Sequence, residues 1–355
     1  MSGGVDSSVA AALLVEQGFE VVGATMKTFC YGENEGPTKT CCGLDGIMDA
    51  RRVADALDIP HYVYDVEEEF THDVIDDFVA EYGRGRTPNP CVRCNSNTKF
   101  RDLLARGRLL GCDAVASGHY VRIEHSPSGS SLFRGRDAAK DQSYFLWGLL
   151  REMLSQLEFP LGDLTKPEVR QRARALGLVT AEKPESQEIC FVPTGHYREF
   201  LERRLPVAHT SLQPGPIVDR SGRVLGEHEG FAGFTVGQRR GLGGGFPEPM
   251  FVLEIRPERR EVVVGLVDEL FADGVRVADL NWLEDPPEAG TPVRVQIRYR
   301  ATATPARVVG TGDDLDLVFE EPQKAVTPGQ SAVVLEGERV LGGGRIVRAL
   351  ETANV

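Results

Sequence analysis

The sequence predicts an α/β domain built on a parallel sheet, followed by two small β barrels. Helical and strand-like runs alternate through residue 117. A glycine-rich turn, Ser2-Gly3-Gly4-Val5-Asp6-Ser7-Ser8, opens straight into an apolar helix. Beyond about residue 205, helical spacing gives way to short β-branched runs between Gly, Pro and Asp turns. Alternation of the first kind buries helices on a parallel sheet, and short strands of the second kind close into small barrels.

The periodicity places a helix over Val9–Gln17, closed by Gly18, then a buried strand over Phe19–Met26. Ile47, Ala50, Val53, Ala54 and Leu57 fall at helical spacing ahead of a strand over His61–Val66. A helix through Val74, Phe78 and Val79, a loop over 86–96, a helix to about Leu110 and a strand over Asp113–Ser117 follow. Ligands of such sheets bind outside the carboxyl ends of the strands, where Gly118-His119-Tyr120 falls. A phosphate-binding turn in this architecture follows a strand. Only Met1 precedes Ser2, so either the expected first strand lies upstream of this sequence, the favoured reading, or the sheet lacks a central strand.

Ser126–Ser131 predicts a hairpin tip, and Lys140–Phe145 leads toward an amphipathic helix. Thr165-Lys166-Pro167-Glu168 is a capping box with proline in the first turn. Arg170, Arg172 and Arg174 lie on that helix's polar side, where a solvated face and an RNA contact explain them equally well. Strands are expected over 215–218, 251–255, 262–264, 293–299, 306–309 and 331–335. With a junction at Asp273-Gly274, the domains are 1–204, 205–273 and 274–355.

A chain of 355 residues exceeds what one core usually organises. The net charge of -13 disfavours a general nucleic-acid surface. Residues 65–81, however, carry eight acids and no Lys or Arg, while 84–108 carry seven bases against Asp102 alone, so a local anionic partner fits. No run approaches a membrane span and no signal peptide is evident, so a cytoplasmic protein without a membrane partner is expected. Seven cysteines, an odd number, argue for metal or redox chemistry over a disulfide framework.

Gly3 and Gly4 let successive N–H groups turn around an anion, and the helix start adds unpaired donors and positive potential. The turn lacks the G-x-x-x-x-G-K-[ST] pattern, and no lysine follows its second glycine. Its full length resembles the pyrophosphate loop of the PP-loop ATPases, which cut ATP between the α and β phosphates, adenylate the substrate and release pyrophosphate. Cys91 and Cys94 stand three residues apart after a proline-braced turn, and Cys190 lies far along the chain. Arg93, Lys99 and a helix start are expected to lower a thiol pKa there. Cys30, Cys41, Cys42 and Cys112 lack such surroundings and read as buried or incidental.

Several motifs together carry a more specific resemblance. They are Ser2–Ser8, Met26-Lys27, Thr87-Pro88-Asn89-Pro90 with Cys94-Asn95, Ser117-Gly118-His119-Tyr120, Lys140–Phe145, Ile189-Cys190-Phe191, Gly237-Gln238-Arg239 and Thr327–Val333. The chain is similar in all of them to the bacterial tRNA-specific 2-thiouridylases, along all three expected domains. The resemblance implies an adenine nucleotide alpha hydrolase-like (PP-loop) sheet and adenylation of the C2 oxygen of the wobble uridine in Lys, Glu and Gln tRNAs. It implies ATP and Mg²⁺ as cofactors, and sulfide or a sulfur-donor protein as a partner.

By the same resemblance Ser2, Gly3, Gly4, Val5, Asp6, Ser7, Ser8, Met26 and Gly118 hold ATP. Asn89, Pro90 and Cys91 border the target base. Lys140, Asp141, Gln142, His119, Arg298, Tyr299 and Gln330 contact or select the tRNA. Cys190 carries a persulfide and Cys94 ends in a disulfide with it. The chain departs from the family's usual aspartate at Cys91. Cys91, Cys94 and Cys190 are also the number of thiols that would hold three corners of a 4Fe-4S cluster, so a thiol route and a cluster route are both open.

Overall fold

The computed structural model describes residues 1–28, 44–184, 189–192 and 197–351. Cys30, Cys41 and Cys42, expected to be incidental, lie outside the described residues. Met1–Val74, Cys91–Gly195 and Glu338–Val340 form one compact unit; Ile75–Pro90, His196–Gly337 and Leu341–Val355 form a second.

In the first unit, helix α1 (Val5–Glu16) starts four residues before the periodicity suggested. Gly4 serves as its N-cap, and its carbonyl accepts the hydroxyls of Ser7 and Ser8 at 3.2 and 2.8 Å. The helix ends at Gly18, whose φ of +85° only glycine adopts readily. Val5, Val9, Ala10 and Leu13 pack with Val53, Leu161, Val169 and Ala173.

Strand β1 (Gly23–Lys27) pairs in parallel with β2 (His61–Asp65), Gly23 opposite His61 and Lys27 opposite Asp65; α2 (Leu44–Ala56) lies between them in sequence. The strand expected over Phe19–Met26 is therefore shorter: Phe19 is 58% exposed and 19–22 stay outside the ladder. Met1 lies beside β1, its amino nitrogen bonded to the Ala24 carbonyl and its own carbonyl accepting the Thr25 hydroxyl at 2.6 Å.

The first unit continues with α3 (Glu67–Phe70) and a π turn over Thr71–Ile75, whereas α4 (Asp76–Gly83) belongs to the second. Next come α5 (Pro90–Arg93), a π-helical stretch over Cys94–Arg101 and α6 (Asp102–Leu109). Strand β3 (Val115–Ala116), the hairpin β4 (Val121–Ser126) and β5 (Gly129–Arg134), and β6 (Leu157–Glu158) complete the unit's strands among the described residues, with residues 338–340 adding Arg339 opposite Phe133. β3 pairs in parallel with β6, so the parallel character is as expected while the ladder forms as two two-stranded pairs.

The amphipathic helix expected after Lys140–Phe145 does not form. Short 3-10 turns over Ser143–Phe145 and Arg151–Gln156 take its place. Tyr144, Leu146, Trp147 and Leu149 are all buried, which leaves no polar face. Gly148 between them would bring a Cβ within 3.2 Å of Val92 and 3.4 Å of Ser96.

Helix α7 (Lys166–Ala175) opens on its capping sequence as predicted. The Glu168 carboxylate accepts the Thr165 N–H at 2.6 Å and hydroxyl at 2.8 Å, which hold its pKa down at about 2. Arg170 donates to the carbonyls of Ala181 and Lys183, Arg172 to Glu16 and Arg174 to Glu182. These partners give the three arginines structural and solvated-face roles.

The second unit contains α8 (Tyr197–Arg204), which the expected division had placed with the first domain. Strands β7 (Gly215–Val218), β8 (Val224–His228), β9 (Phe251–Arg256) and β10 (Glu261–Gly265) form a sheet in the order β8-β7-β10-β9. It covers Ile217, Phe231, Phe234, Val252 and Val262.

Strand β11 (Phe271–Trp282) runs through the expected 273/274 junction. It is followed by β12 (Pro292–Gln296), β13 (Thr304–Thr311), β14 (Leu315–Lys324), β15 (Ser331–Glu336) and β16 (Arg339–Leu350). β11 pairs with both β14 and β16, closing a six-stranded barrel in the order β11-β14-β13-β12-β15-β16. Val275, Val277, Val295, Val308, Leu317 and Val334 fill it. The strand expected over 293–299 stops at Gln296, leaving Arg298 and Tyr299 beyond the ladder. No helix among the described residues is long and apolar enough to cross a membrane.

Candidate active site

The glycine-rich turn is held shut by its own polar groups and by close backbone contact. The Ser2 N–H donates to the Ser7 hydroxyl at 3.1 Å, and the Ser2 and Ser7 hydroxyls are 3.2 Å apart. Gly3 has φ +68°, and a Cβ there would lie 2.1 Å from the Gly46 carbonyl oxygen. No side chain caps α1, so the N–H groups of its first turn face outward beside the turn without intrahelical acceptors. Backbone donors at a helix start suit an anion with several oxygens, such as a polyphosphate.

Asp6, in that first turn, accepts the Tyr120 hydroxyl at 2.7 Å and the Lys166 ammonium at 2.7 and 2.8 Å. Sequence reasoning missed Lys166. Its one signal is a cation at the first position of a helix, where the dipole disfavours it unless an anion stands nearby. Gly118 lies against the turn: a Cβ there would meet the Asp6 carbonyl carbon at 2.7 Å and the Ser7 nitrogen at 2.8 Å. Met26 is half-buried in β1 opposite Tyr64.

Gly118→Ala is expected to displace this backbone and destabilise the protein by about 1–3 kcal/mol, the usual cost of overpacking. Gly226→Ala, where a Cβ meets nothing within 4 Å, is the control. Urea unfolding of both variants checks this, and equal midpoints would show that the contact at Gly118 is not tight.

His119 is buried, close to Phe100 and Phe159, with Nδ1 bonded to the Ser117 hydroxyl. Burial, and then the Lys99 charge, push its pKa well below the ordinary imidazole range, so the ring is neutral. Asp141 is buried too, and its carboxylate accepts Arg134 Nε at 2.7 Å, the Gly135 and Ser143 N–H groups at 3.1 Å and the Ser143 hydroxyl at 2.9 Å. The Gln142 amide oxygen accepts the Tyr120 N–H at 3.0 Å. Asp141 and Gln142 thus brace the segment that carries half-buried Lys140.

Cys91, Cys94 and Cys190 belong to the first unit, Cys91 exposed and the other two half-buried. The expectation of a lowered thiol pKa fails at Cys91. Although the residue reaches solvent, desolvation by the surrounding atoms raises its pKa, and Lys99 only partly opposes this. Cys94 opens the π-helical stretch, a register break often found at functional sites. Phe191, fully buried and edge-on to Phe70 at 5.8 Å, anchors the segment bearing Cys190. Among the described residues, no three His, Cys, Asp or Glu side chains stand together as a metal-ligand set, so these thiols do not fit a three-cornered cluster site in this structure.

The second unit gathers three of the sequence motifs, with Arg298, around one cavity of about 530 Å³. Thr87, Thr235, Gly237, Arg298, Lys324 and Gln330 are among its lining residues. The Gln330 amide donates to the carbonyls of Thr87 at 2.9 Å and Pro88 at 3.3 Å, and the Thr87 N–H donates to the Pro328 carbonyl at 2.9 Å. Gly329 (φ +91°) permits the approach, since a Cβ there would sit 2.8 Å from Thr87 N and O. Asn89 is half-buried and Pro90 buried, directly beyond this strap. Exposed Arg298 donates to the Ala325 carbonyl at 3.0 Å, and Tyr299 is half-buried beside it in sequence. The lining combines cationic, amide and hydroxyl groups with Phe251, a set suited to an anionic or nucleobase-bearing ligand.

Residues 1–194 match the family model of the tRNA methyl transferase HUP domain, 198–266 that of the tRNA methyl transferase PRC-barrel domain, and 272–346 that of the Aminomethyltransferase beta-barrel domain. A relative from Rhodospirillum centenum, described as tRNA-specific 2-thiouridylase MnmA, is 51% identical, covering 98% of this chain and 91% of its own. Relatives of the same description from Geobacter metallireducens and Carboxydothermus hydrogenoformans are 51% and 49% identical, covering 99% of this chain and 96% and 97% of theirs.

Proposed function

The chain belongs to the tRNA-specific 2-thiouridylase family and is a tRNA sulfurtransferase, and on that premise we propose that it adenylates the C2 oxygen of the wobble uridine with ATP and replaces that oxygen by sulfur. The observation that carries this reading is the Ser2–Ser8 turn, bound shut at an uncapped helix start with Gly3 pressed on Gly46. Backbone donors placed there would grip the departing pyrophosphate, with Met26 and Gly118 at the nucleotide. Asp6, the turn's one carboxylate, is already bonded by Lys166 and Tyr120, so Mg²⁺ fits as an ion carried on the nucleotide's phosphates and would neutralise their charge.

A C2 carbonyl oxygen is a poor leaving group until it is adenylated. The terminal sulfur of a Cys190 persulfide would then attack C2, and AMP would depart with the oxygen. Attack of the Cys94 thiolate on Cys190 Sγ would break the remaining S–S bond, release the thiocarbonyl and leave a Cys94–Cys190 disulfide for reduction. Sulfide would recharge Cys190 by attacking Cys190 Sγ of that disulfide and expelling the Cys94 thiolate, whereas after reduction the outer sulfur would come from the persulfide of a sulfur-donor protein, which leaves as its thiol. Asn89, Pro90 and Cys91 would border the target base. Lys140, Arg298, Tyr299 and Gln330 would face the tRNA, while Asp141, Gln142 and His119 hold the surrounding backbone. Lys, Glu and Gln tRNAs are the expected acceptors and the cytoplasm the expected compartment. The order of the three family models supports an ATP-binding domain followed by two β domains; the expected division is 1–204, 205–273 and 274–355, with α8 going to the second domain.

The test is mass spectrometry of nucleosides from unmodified tRNA incubated with the protein, ATP and a sulfur source. Formation of 2-thiouridine with pyrophosphate release that requires tRNA is expected. Pyrophosphate release without tRNA, or no thiolated nucleoside, overturns the reading. Iron counting on anaerobically purified protein decides the sulfur route: a colourless, iron-free, active enzyme is expected, and iron-dependent activity would replace the thiol route by a cluster-borne sulfur.

A further inference from the structure

Many phosphate-binding loops end on a lysine, and the Ser2–Ser8 turn contains none. The fold brings one to it from 160 positions along the chain. Lys166 is only 7% exposed although it occupies the first position of α7, where the helix dipole opposes a positive charge. Its ammonium lies 2.7 and 2.8 Å from the two carboxylate oxygens of Asp6 and 5.7 Å from the centre of the Tyr120 ring. The start of α7 is itself pinned. The Lys166 N–H donates to Asp137 at 2.9 Å, and Arg136 reaches Glu168 at 2.9 Å while Glu168 holds Thr165. A buried cation at an unfavourable helix position, secured from three sides and aimed at one carboxylate, has a specific task.

That task follows from where Asp6 sits. Its carboxylate stands in the first turn of α1, beside the N–H groups that are to receive phosphate oxygens. A like charge about 6 Å from a phosphate, at an effective dielectric of about 20, would weaken binding by roughly a hundredfold. We propose that Lys166 is the positioning residue of the phosphate turn, neutralising and fixing Asp6 so that the turn presents donors rather than a negative charge to the triphosphate. This rests on the reading of the turn as the ATP site.

Calorimetric titration of the full chain with ATP and, separately, with adenosine tests it, with circular dichroism reporting the fold of each variant. K166M is expected to weaken ATP about 10- to 100-fold and adenosine less than about threefold, because adenosine carries no charge to repel. K166R should stay near wild type, and adding D6N to K166M should recover most of the lost ATP affinity. Unchanged ATP affinity in K166M, equal losses for ATP and adenosine, or no recovery in the double variant would overturn the assignment. If K166M does not fold, D6N alone decides: it should bind ATP at least as tightly as wild type, and a loss beyond about tenfold contradicts the role. A wild-type chain that does not bind ATP overturns this inference together with the functional reading. Wild-type binding with an indifferent K166M removes this inference only.

Discussion

Cys190→Ser is expected to reduce 2-thiouridine formation by on the order of a thousandfold or more, the scale on which a reacting nucleophile's loss is felt. Pyrophosphate release in the presence of tRNA should persist, because in the proposed order adenylation precedes sulfur delivery. The substitution should leave the fold intact. Cys190 is only half-buried, while the neighbouring Phe191, packed on Phe70, does the anchoring. Cys112→Ser, at a thiol outside the proposed chemistry, is the control and should thiolate normally. Nucleoside mass spectrometry and a pyrophosphate assay on the same samples separate the two half-reactions. Normal thiolation by Cys190→Ser would remove this residue from the mechanism, and loss of both half-reactions would assign it to nucleotide or tRNA binding instead.

Arg345→Ala is expected to be the most destabilising of the single changes considered, by about 2–4 kcal/mol, because it strips one partner from buried Glu81 and from half-buried Asp77. Arg345 reaches both oxygens of Asp77 at 2.9 and 3.1 Å and Glu81 Oε2 at 2.9 Å. Glu81 is 1% exposed, and its other oxygen accepts from Arg84 and Arg86. These bonds tie the segment Ile75–Pro90, which leads to Asn89 and Pro90, to strand β16 of the barrel. Arg84→Ala is the contrast: its side chain is 67% exposed, so the loss should stay below about 1 kcal/mol.

Urea unfolding followed by Trp282 fluorescence in a Trp147→Phe background reports on the barrel, since the chain has two tryptophans. Equal midpoints for Arg345→Ala and Arg84→Ala would show that the knot contributes no more than a surface pair.

Much of this protein is legible locally. The capping box at Thr165, the glycine stop at Gly18 and the strands at 215–218 and 331–335 appear where the residues place them, because each is decided by neighbours a few positions away. The failures have equally definite causes. Phe19–Val22 have strand-like composition but no ladder partner. The segment after Phe145 has apolar residues in plenty, but Leu146, Trp147 and Leu149 are buried in near succession, which leaves no polar face over 146–149 for an amphipathic helix. Ile297 continues the apolar pattern of β12 although the ladder has ended at Gln296, which leaves Arg298 free to line a cavity. At Cys91, counting nearby cations gave the wrong direction for the thiol, since desolvation outweighs them.

The sequence by itself determined the periods of helix and strand, the anion-binding turn, the spacing of the thiols and the motifs that identify the family. Those properties are short-range, so the order of residues is enough to state them. Only the tertiary structure decided that Lys166 meets Asp6, that Gln330 holds the Thr87-Pro88 strap and that Arg345 pairs with Glu81. Charge pairing and close packing depend on distance in space, and a chain position far from its partner carries no local trace of that distance.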